Sequence, residues 1–285
     1  MSNIEWGGYW ITFSVLIIAL MGWIFSLIMP APQRNLQTPT FKIHWEPFTQ
    51  TYRTLIEAAK QPTLFLAMIG ISWFWFYGSI LITQIPNYTK IILGGDAVIM
   101  TLLLTMASLG IGLGSMLCEP LGKGKAELGI VPFGAIGLSL FAADLSYAHG
   151  PIPSQLVTVS VFLHHWHGWH VLIDLFLIGL FAGFFSVPLY VLLQARSPDE
   201  KRSQIIAANN ILNAIFMTGA SFLAIGILKL GLTIPALFLV LALINALVVL
   251  LIFRQAPEYL NRFKIWGISV FFTLAPKGRG CPKGG

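Results

Sequence analysis

Long uncharged stretches dominate this sequence and decide most of what it can fold into. A helix needs about 20 mostly apolar residues to cross the ~30 Å hydrocarbon core of a bilayer. Charged residues make up only 10% of the chain and hydrophobic residues 56%, which leaves too little polar surface to cover a globule in water. The sequence therefore predicts an all-α membrane protein of about seven transmembrane helices. The predicted spans are Gly7–Met29, Thr63–Thr83, Ala97–Cys118, Ile130–Leu145, Trp169–Leu193, Ile205–Leu228 and Thr233–Phe253.

The basic residues are distributed unevenly between the two sides that these spans define. Lysine and arginine favour the cytoplasmic side of short loops. With alternating spans, Lys90 and Lys229 fall on one side, and the other 15 of the 17 basic residues fall on the opposite side. This predicts an external N-terminus and a cytoplasmic C-terminus. The net positive charge is thus a topology signal, and no nucleic-acid partner is predicted.

The spacing of the spans predicts four segments. Residues 1–29 form one membrane helix, 30–62 a cytoplasmic linker, 63–253 a six-helix bundle and 254–285 a cytoplasmic tail. Within the linker, Glu46–Lys60 has apolar residues at helical spacing, which predicts an amphipathic surface helix. Some transporters consist of two six-helix halves joined by a long cytoplasmic linker. One helix before the linker and six helices after it match this layout from its sixth helix onward. The chain is therefore expected to begin at the sixth helix of such a transporter, with a free-standing seven-helix protein as the alternative.

Polar side chains within the spans are the main candidates for function, because they are expensive in lipid. Asp174 is predicted either to contact substrate at an outer gate or to cap a neighbouring helix. Asn209, Asn210 and Asn213 are three and four residues apart, which predicts that they share one face pointing into the bundle. They are interpreted either as lining a substrate path or as forming hydrogen bonds between helices, and the first interpretation is favoured. For Asn245, bonding between helices is favoured.

The stretch Gly114–Gly129, GSMLCEPLGKGKAELG, ends an apolar run with charges, proline and glycine. It is predicted to be a cytoplasmic turn. Glu119 lies where the end of a helix disfavours a carboxylate, so it is expected to pair with Lys123 or Lys125. Such a pair can latch two helices in one conformational state. These three residues are the predicted cytoplasmic gate.

Glycines inside the spans predict close helix packing. Gly179 and Gly183 form a G-x-x-x-G pair, which lets helices approach each other. The stretch Gly110–Ser115, GIGLGS, resembles part of the glycine-rich dinucleotide-binding motif. That interpretation is rejected, because no strand precedes the stretch.

Four histidines lie in HHWHGWH, His164–His170, in a loop predicted on the outer side. They are interpreted either as a metal site or, preferably, as an interfacial turn whose rings suit the headgroup region. Their spacing matches no compact zinc pattern, and no carboxylate follows until Asp174. No metal and no cofactor is therefore predicted. No catalytic motif supports an enzyme.

Three stretches resemble signatures of the lysophospholipid transporters of the major facilitator superfamily. They are Ile85–Leu104, Gly114–Gly134 and Phe184–Phe216. The resemblance is strongest to forms fused to a 2-acylglycerophosphoethanolamine acyltransferase and an acyl carrier protein ligase. It implies a major facilitator half-bundle in the bacterial inner membrane. It also implies inward movement of lysolipids such as lysophosphatidylethanolamine by alternating access.

The sequence departs from that family at both ends. The first five helices are missing, and no H-x-x-x-x-D acyltransferase motif occurs. Acyltransferase activity is therefore not expected, and the chain is expected to be a truncated or frame-disrupted product. Its expected partners are lysophospholipid, membrane lipids, and a missing N-terminal half or acyltransferase domain. A non-transporting fragment or scaffold, and a transporter of another amphipathic molecule, are the alternatives.

Overall fold

The computed structural model describes residues 2–28, 47–122, 127–153, 155–255 and 257–274. These residues form ten α-helices and no strand beyond one bridge between Gly95 and Val157. The helices are α1 (Ser2–Ile28), α2 (Pro47–Ala59), α3 (Pro62–Asn87), α4 (Ala97–Leu121), α5 (Ile130–Leu145), α6 (Val159–His164), α7 (Trp166–Arg196), α8 (Arg202–Lys229), α9 (Ile234–Gln255) and α10 (Pro257–Leu274).

The chain divides into two units, residues 1–45 and 46–285. The first unit contains α1, which is apolar from Thr12 to Ile28. The second unit contains the other nine described helices, and most of their buried side chains form one hydrophobic core. The candidate site lies in the second unit.

Five described helices are long and apolar enough to cross a membrane: Pro62–Ile92, Ala97–Leu121, Trp166–Arg196, Arg202–Lys229 and Ile234–Gln255. The first of these continues α3 through a π-helical turn at its end. Two other predicted spans correspond to shorter apolar helices, α5 and the apolar part of α1. At 1.5 Å per residue, the 16 residues of α5 extend over about 24 Å, less than the hydrocarbon core. The described residues thus support a helical membrane protein with five full-length spans.

Successive long helices of the second unit run in alternating directions. Asp144 at the end of α5 meets His170 near the start of α7, whereas Gly134 near the start of α5 meets Phe185 further along α7. These two helices are therefore antiparallel. We call the end of the bundle where α7 begins the His end, and the end where α7 finishes the Arg end.

Helices α4 and α7 cross at backbone contact. Gly110 and Gly114 on α4 face Gly179 and Gly183 on α7. A Cβ added to Gly114 would overlap the carbonyl oxygen of Leu180, and one on Gly183 would lie 2.6 Å from a backbone nitrogen of α4. The close packing predicted for Gly179 and Gly183 is therefore confirmed. Its counterpart on α4 is a second G-x-x-x-G pair.

Asn245 bonds three helices together from a fully buried position on α9. Its Oδ1 accepts a hydrogen bond from Trp73 Nε1 of α3 at 2.8 Å. Its Nδ2 donates to the carbonyl of Ala135 at 3.1 Å and to Ser139 Oγ at 2.8 Å, both on α5. The role favoured from sequence for Asn245, bonding between helices, is confirmed.

Two amphipathic helices cover the Arg end. The helix predicted within the linker is present as α2, which packs against α3 and α8. Helix α10 packs against α5 and α9. Its Tyr259 is fully buried, and Trp266 Nε1 donates to the carbonyl of Leu121 at 3.0 Å.

Candidate functional site

Asp174 lies in a cluster of three ionisable side chains at the His end. Its carboxylate oxygen Oδ2 is 3.6 Å from Nε2 of His170, which lies one turn earlier on α7. The same nitrogen is 3.1 Å from Oδ2 of Asp144. One oxygen or nitrogen from each residue lies within 4.8 Å of those of the other two. The sequence pointed to Asp174 but not to Asp144.

The packing of α5 on α7 brings this cluster together. Asp144 lies in the last turn of α5, and His170 and Asp174 lie in the first turns of α7. Gly137 allows α5 to pack closely on α7, because a Cβ at this position would overlap the ring of Phe181. The sequence carries no local signal for Asp144, since its partners lie on a helix that is distant along the chain.

The cluster combines a buried carboxylate with a half-exposed one. Asp174 is 1% exposed, whereas the Asp144 side chain is 47% exposed and the His170 side chain 29%. Among the described residues, Asp174 Oδ2 and the hydroxyl of Tyr88 have no hydrogen-bond partner. Buried polar atoms without a partner are uncommon in proteins and call for an explanation.

The three asparagines on α8 do not share one face. Asn209 is 1% exposed and Asn213 is also buried, but Asn210 is exposed. The prediction that all three point into the bundle was therefore wrong for Asn210, because one residue along a helix turns the side chain by about 100°. Its contact with substrate stays a prediction. Ser72 Oγ of α3 donates to Asn213 Oδ1 at 2.8 Å. Neither amide atom of Asn209 has a hydrogen-bond partner within the described part of the chain.

Helix α4 exposes a row of hydroxyl groups that the sequence reasoning missed. Thr101, Thr105 and Ser108 recur at helical spacing and are exposed. Each hydroxyl donates to the carbonyl one turn earlier, at 2.7–2.9 Å. Each oxygen therefore keeps lone pairs that can accept a further hydrogen bond. A shallow groove on α4 is lined by these residues together with Leu104, Leu109, Gly112, Leu113 and Met116.

The exposed faces of the long helices differ in character. Helix α8 exposes Asn210, Thr218 and Ser221 between exposed apolar side chains, among them Ile215, Phe222 and Ile225. Helix α5 exposes apolar residues, Ile136 and Leu140. Between residues 234 and 253 of α9, the exposed side chains are all leucines: Leu243, Leu247, Leu250 and Leu251. Apolar faces suit contact with lipid, whereas polar groups on a membrane helix usually face protein or a water-filled cavity.

The predicted cytoplasmic gate is only partly within the described residues. Glu119 lies in the last turn of α4 and is exposed, whereas Lys123 and Lys125 lie outside the described residues. Their pairing stays a prediction. A different ion pair lies at this end, where Lys201 Nζ donates to Glu57 Oε2 at 2.7 Å and connects α2 to the start of α8. These two residues are 144 positions apart, so no sequence motif links them.

The Glu57–Lys201 pair predicts a small dependence of α2 docking on pH. The hydrogen bond and charge of Lys201 hold the pKa of Glu57 below its usual value of 4.5. Folding lowers this pKa, so the pair stabilises the docking of α2 fully at pH values above the pKa of Glu57 in the unfolded state. The stabilisation is lost as pH falls through the lower pKa of the folded state. Hydrogen exchange in α2, corrected for intrinsic rates, should rise no more than a few-fold as pH falls below the usual glutamate value of 4.5, since exposed pairs are weak.

Glu57→Gln should raise exchange in α2 at neutral pH by a similar amount. Glu200→Gln is the matched control, because Glu200 lies in the same surface hollow and forms no ion pair among the described residues. Equal exchange in the two variants would contradict the assigned role of the pair.

The histidine segment is a junction between two helices rather than the predicted loop. The backbone is extended at His165 (φ −97°, ψ 139°), so α6 ends before this residue and α7 begins after it. His170 therefore belongs to α7. His164, His165 and His167 are exposed, and His167 Nδ1 lies 3.2 Å from the carbonyl oxygen of Ala148. Of the four histidines, His170 is the one placed beside carboxylates.

Comparison with known proteins found no matching family model, curated protein or solved structure. The function must therefore be argued from the helix faces and the polar clusters described above.

Proposed function

We propose that this chain forms the C-terminal half-bundle of a major facilitator transporter. The transporter moves lysophospholipids such as lysophosphatidylethanolamine across the bacterial inner membrane. The observation that carries this proposal is that α4 and α8 expose hydroxyl and amide groups among apolar side chains, whereas the exposed side chains of α9 between residues 234 and 253 are all leucines. The sequence resemblance to lysophospholipid transporters adds support.

The groove on α4 suits an amphipathic substrate whose headgroup carries an ammonium group. Thr101, Thr105 and Ser108 donate their protons to the helix backbone, so their outward lone pairs accept hydrogen bonds. An ethanolamine ammonium group supplies hydrogen-bond donors. The neighbouring Leu109 and Met116 provide apolar surface for an acyl chain. A sugar would need more polar contacts than this groove offers.

The remaining polar groups have proposed positions along the path. Asn210 contributes to the exposed face, and the buried Asn209 and Asn213 lie beside it on α8. Asp174 acts at the gate of the His end, and Glu119 with its two lysines acts at the opposite gate. By the distribution of basic residues, the His end faces outward and the C-terminus lies in the cytoplasm. A second six-helix half, separate or from another copy, completes the cavity.

The proposal is tested by mapping where a lysolipid binds. The protein is reconstituted in nanodiscs with a photoactivatable lysophosphatidylethanolamine, and the crosslinked residues are identified by mass spectrometry. We expect crosslinks on α4 and α8 that excess unlabelled lysolipid removes. A photoactivatable diacyl lipid should instead label α5 and α9. Equal lysolipid labelling of α9 and α4 would defeat the proposal. Equal competition by a cationic amphipathic drug would favour the alternative substrate.

Removing the hydroxyl groups should weaken lysolipid binding. In the variant Thr101→Val, Thr105→Val, Ser108→Ala, shape is nearly kept while up to three acceptors are lost. Each hydrogen bond contributes about 1 kcal/mol, so we expect Kd for lysophosphatidylethanolamine to rise about tenfold or more. The measurement is a titration of the reconstituted protein with the lysolipid.

Leu243→Ala with Leu247→Ala on α9 is the matched control for this triple variant. Both leucines are exposed, and Kd should stay within about twofold of the parent value, as expected for surface changes. A triple variant that binds as tightly as the parent would contradict the assignment of the groove.

A further inference from the structure

We propose that Asp144, His170 and Asp174 bind one divalent transition-metal ion at the His end of the bundle. The three side chains offer two carboxylate oxygens and one imidazole nitrogen within 4.8 Å of one another. Carboxylate and imidazole are the usual ligands of zinc and manganese ions in proteins. The inference depends on this geometry and not on lysolipid transport.

Two distances in the cluster are close to those between ligands of one ion, and the third, between the Asp144 and Asp174 oxygens, is under 4.8 Å. Zinc lies about 2.0–2.1 Å from oxygen and nitrogen ligands, so two ligands of a tetrahedral ion are about 3.3 Å apart and two adjacent ligands of an octahedral ion about 2.9 Å. His170 Nε2 lies 3.1 Å from Asp144 Oδ2 and 3.6 Å from Asp174 Oδ2. The i, i+4 spacing of His170 and Asp174 also matches that of paired metal ligands on a helix.

Hydrogen bonds within the cluster do not satisfy all three groups. His170 Nε2 carries at most one proton, and its hydrogen-bonded partner is Asp144. With both carboxyl groups ionised, Asp174 Oδ2 is then left without a hydrogen-bond donor among the described residues, although Asp174 is 1% exposed. A buried carboxylate without a partner is costly. A cation between the three groups would contact all of them.

The charge in the cluster is also unbalanced. In the described part of the chain, the ion pairs of Asp144 and Asp174 are both with His170. Lys90 and Lys229 are the two lysines predicted on the outer side of the membrane. Among the described residues, neither forms an ion pair with Asp144 or Asp174. Two carboxylates thus share one imidazole. A divalent cation would offset their mutual repulsion.

A metal ion here would connect two helices while leaving one side of the ion open. Asp144 belongs to α5 and the other two ligands to α7, so the ion would tie the end of α5 to the start of α7. Asp144 and His170 are partly exposed, which gives the ion a path of entry. Three protein ligands leave a coordination position for water or another small ligand.

The test is a metal titration of the purified protein after treatment with a chelator. Cys281→Ser is included in every sample, because a cysteine thiolate is a zinc ligand. The other cysteine, Cys118, is buried. Isothermal titration calorimetry with Zn²⁺ should give one site per chain, with Mn²⁺ binding more weakly, as the Irving–Williams order predicts. Ca²⁺ should not compete, since it needs six to eight oxygen ligands. The Co²⁺-loaded protein should show visible absorption bands of a low-coordination site.

His170→Gln and Asp174→Asn should each raise Kd for Zn²⁺ about tenfold or more, a loss at least as large as that from changing supporting residues of metal sites. His164→Ala is the matched control, because His164 is exposed in the same segment but outside the cluster, and its Kd should be unchanged. His170 is partly exposed, so its variant tests the site even if Asp174→Asn does not fold. The absence of saturable binding, or equal losses in the His164 and His170 variants, would overturn the proposal.

Discussion

Replacing Gly114 by leucine should separate α4 from α7 and destabilise the bundle by about 3 kcal/mol or more, at the upper end of the effects of overpacking. A Cβ at this position would overlap the carbonyl oxygen of Leu180. Because that atom belongs to the backbone, one helix must move away, and the facing glycines on α7 lose their contact. The measurement is the midpoint of thermal unfolding in detergent, followed by tryptophan fluorescence.

Gly112→Leu is the matched control on the same helix. No atom lies within 4 Å of a Cβ added to Gly112, and replacing glycine inside a helix favours the helix by up to about 1 kcal/mol. Its unfolding midpoint should therefore be unchanged or higher. If both variants unfold at the same temperature, the glycine contacts do not hold α4 against α7.

Cys118 provides an independent readout of the same contact. This buried cysteine continues the row of Gly110 and Gly114, and its Sγ lies 3.6 Å from the carbonyl oxygen of Gly183 on α7. In a Cys281→Ser background, a maleimide should label Cys118 slowly in the parent and much faster in Gly114→Leu. Slow labelling in both would show that the helices stay together.

Asn245→Leu should destabilise the bundle by about 2–3 kcal/mol, because it removes three hydrogen bonds and leaves a buried donor unpaired. The unpaired donor is Nε1 of Trp73. Typical single hydrogen bonds between membrane helices contribute only about 0.6 kcal/mol, so an effect of this size requires that the three bonds act together. Thermal unfolding in detergent is again the measurement.

Asn210→Leu makes the same chemical change at an exposed position and should shift the unfolding midpoint little. A double-mutant cycle with Trp73→Phe isolates the bond between α3 and α9. In the Trp73→Phe background, Asn245→Leu should cost less, because the donor is already absent. Additive effects of the two changes would contradict a direct bond between these side chains.

Gly114→Leu and Asn245→Leu both change helix contacts that hold the candidate sites in place. The α4–α7 crossing places the hydroxyl groups of α4 at the surface of the bundle, and Asn245 fixes α3 and α5 against α9. The ligands of the proposed metal site belong to α5 and α7. Small shifts of these helices would therefore alter the site, which makes metal affinity a sensitive second readout in both variants.

The candidate site was only partly predictable. The cost of a carboxylate in lipid pointed to Asp174, and the structure shows it buried in a polar cluster. Asp144 was not predicted, because its proximity to Asp174 depends on how α5 packs on α7. Asn210 was assigned to the wrong face, since helical spacing fixes the angles between side chains but not the boundary of the buried arc.

The sequence by itself determined the class of the protein and the positions of its long helices. Apolar length and the shortage of charge reveal a membrane helix locally, since a helix satisfies its backbone hydrogen bonds within the segment and needs no partner strand. The amphipathic helix α2 followed from its own periodicity. Tertiary structure alone decided which glycines face each other, which asparagines are buried, and which carboxylates share His170. These facts depend on the rotation and separation of neighbouring helices, which are set by contacts between residues far apart along the chain.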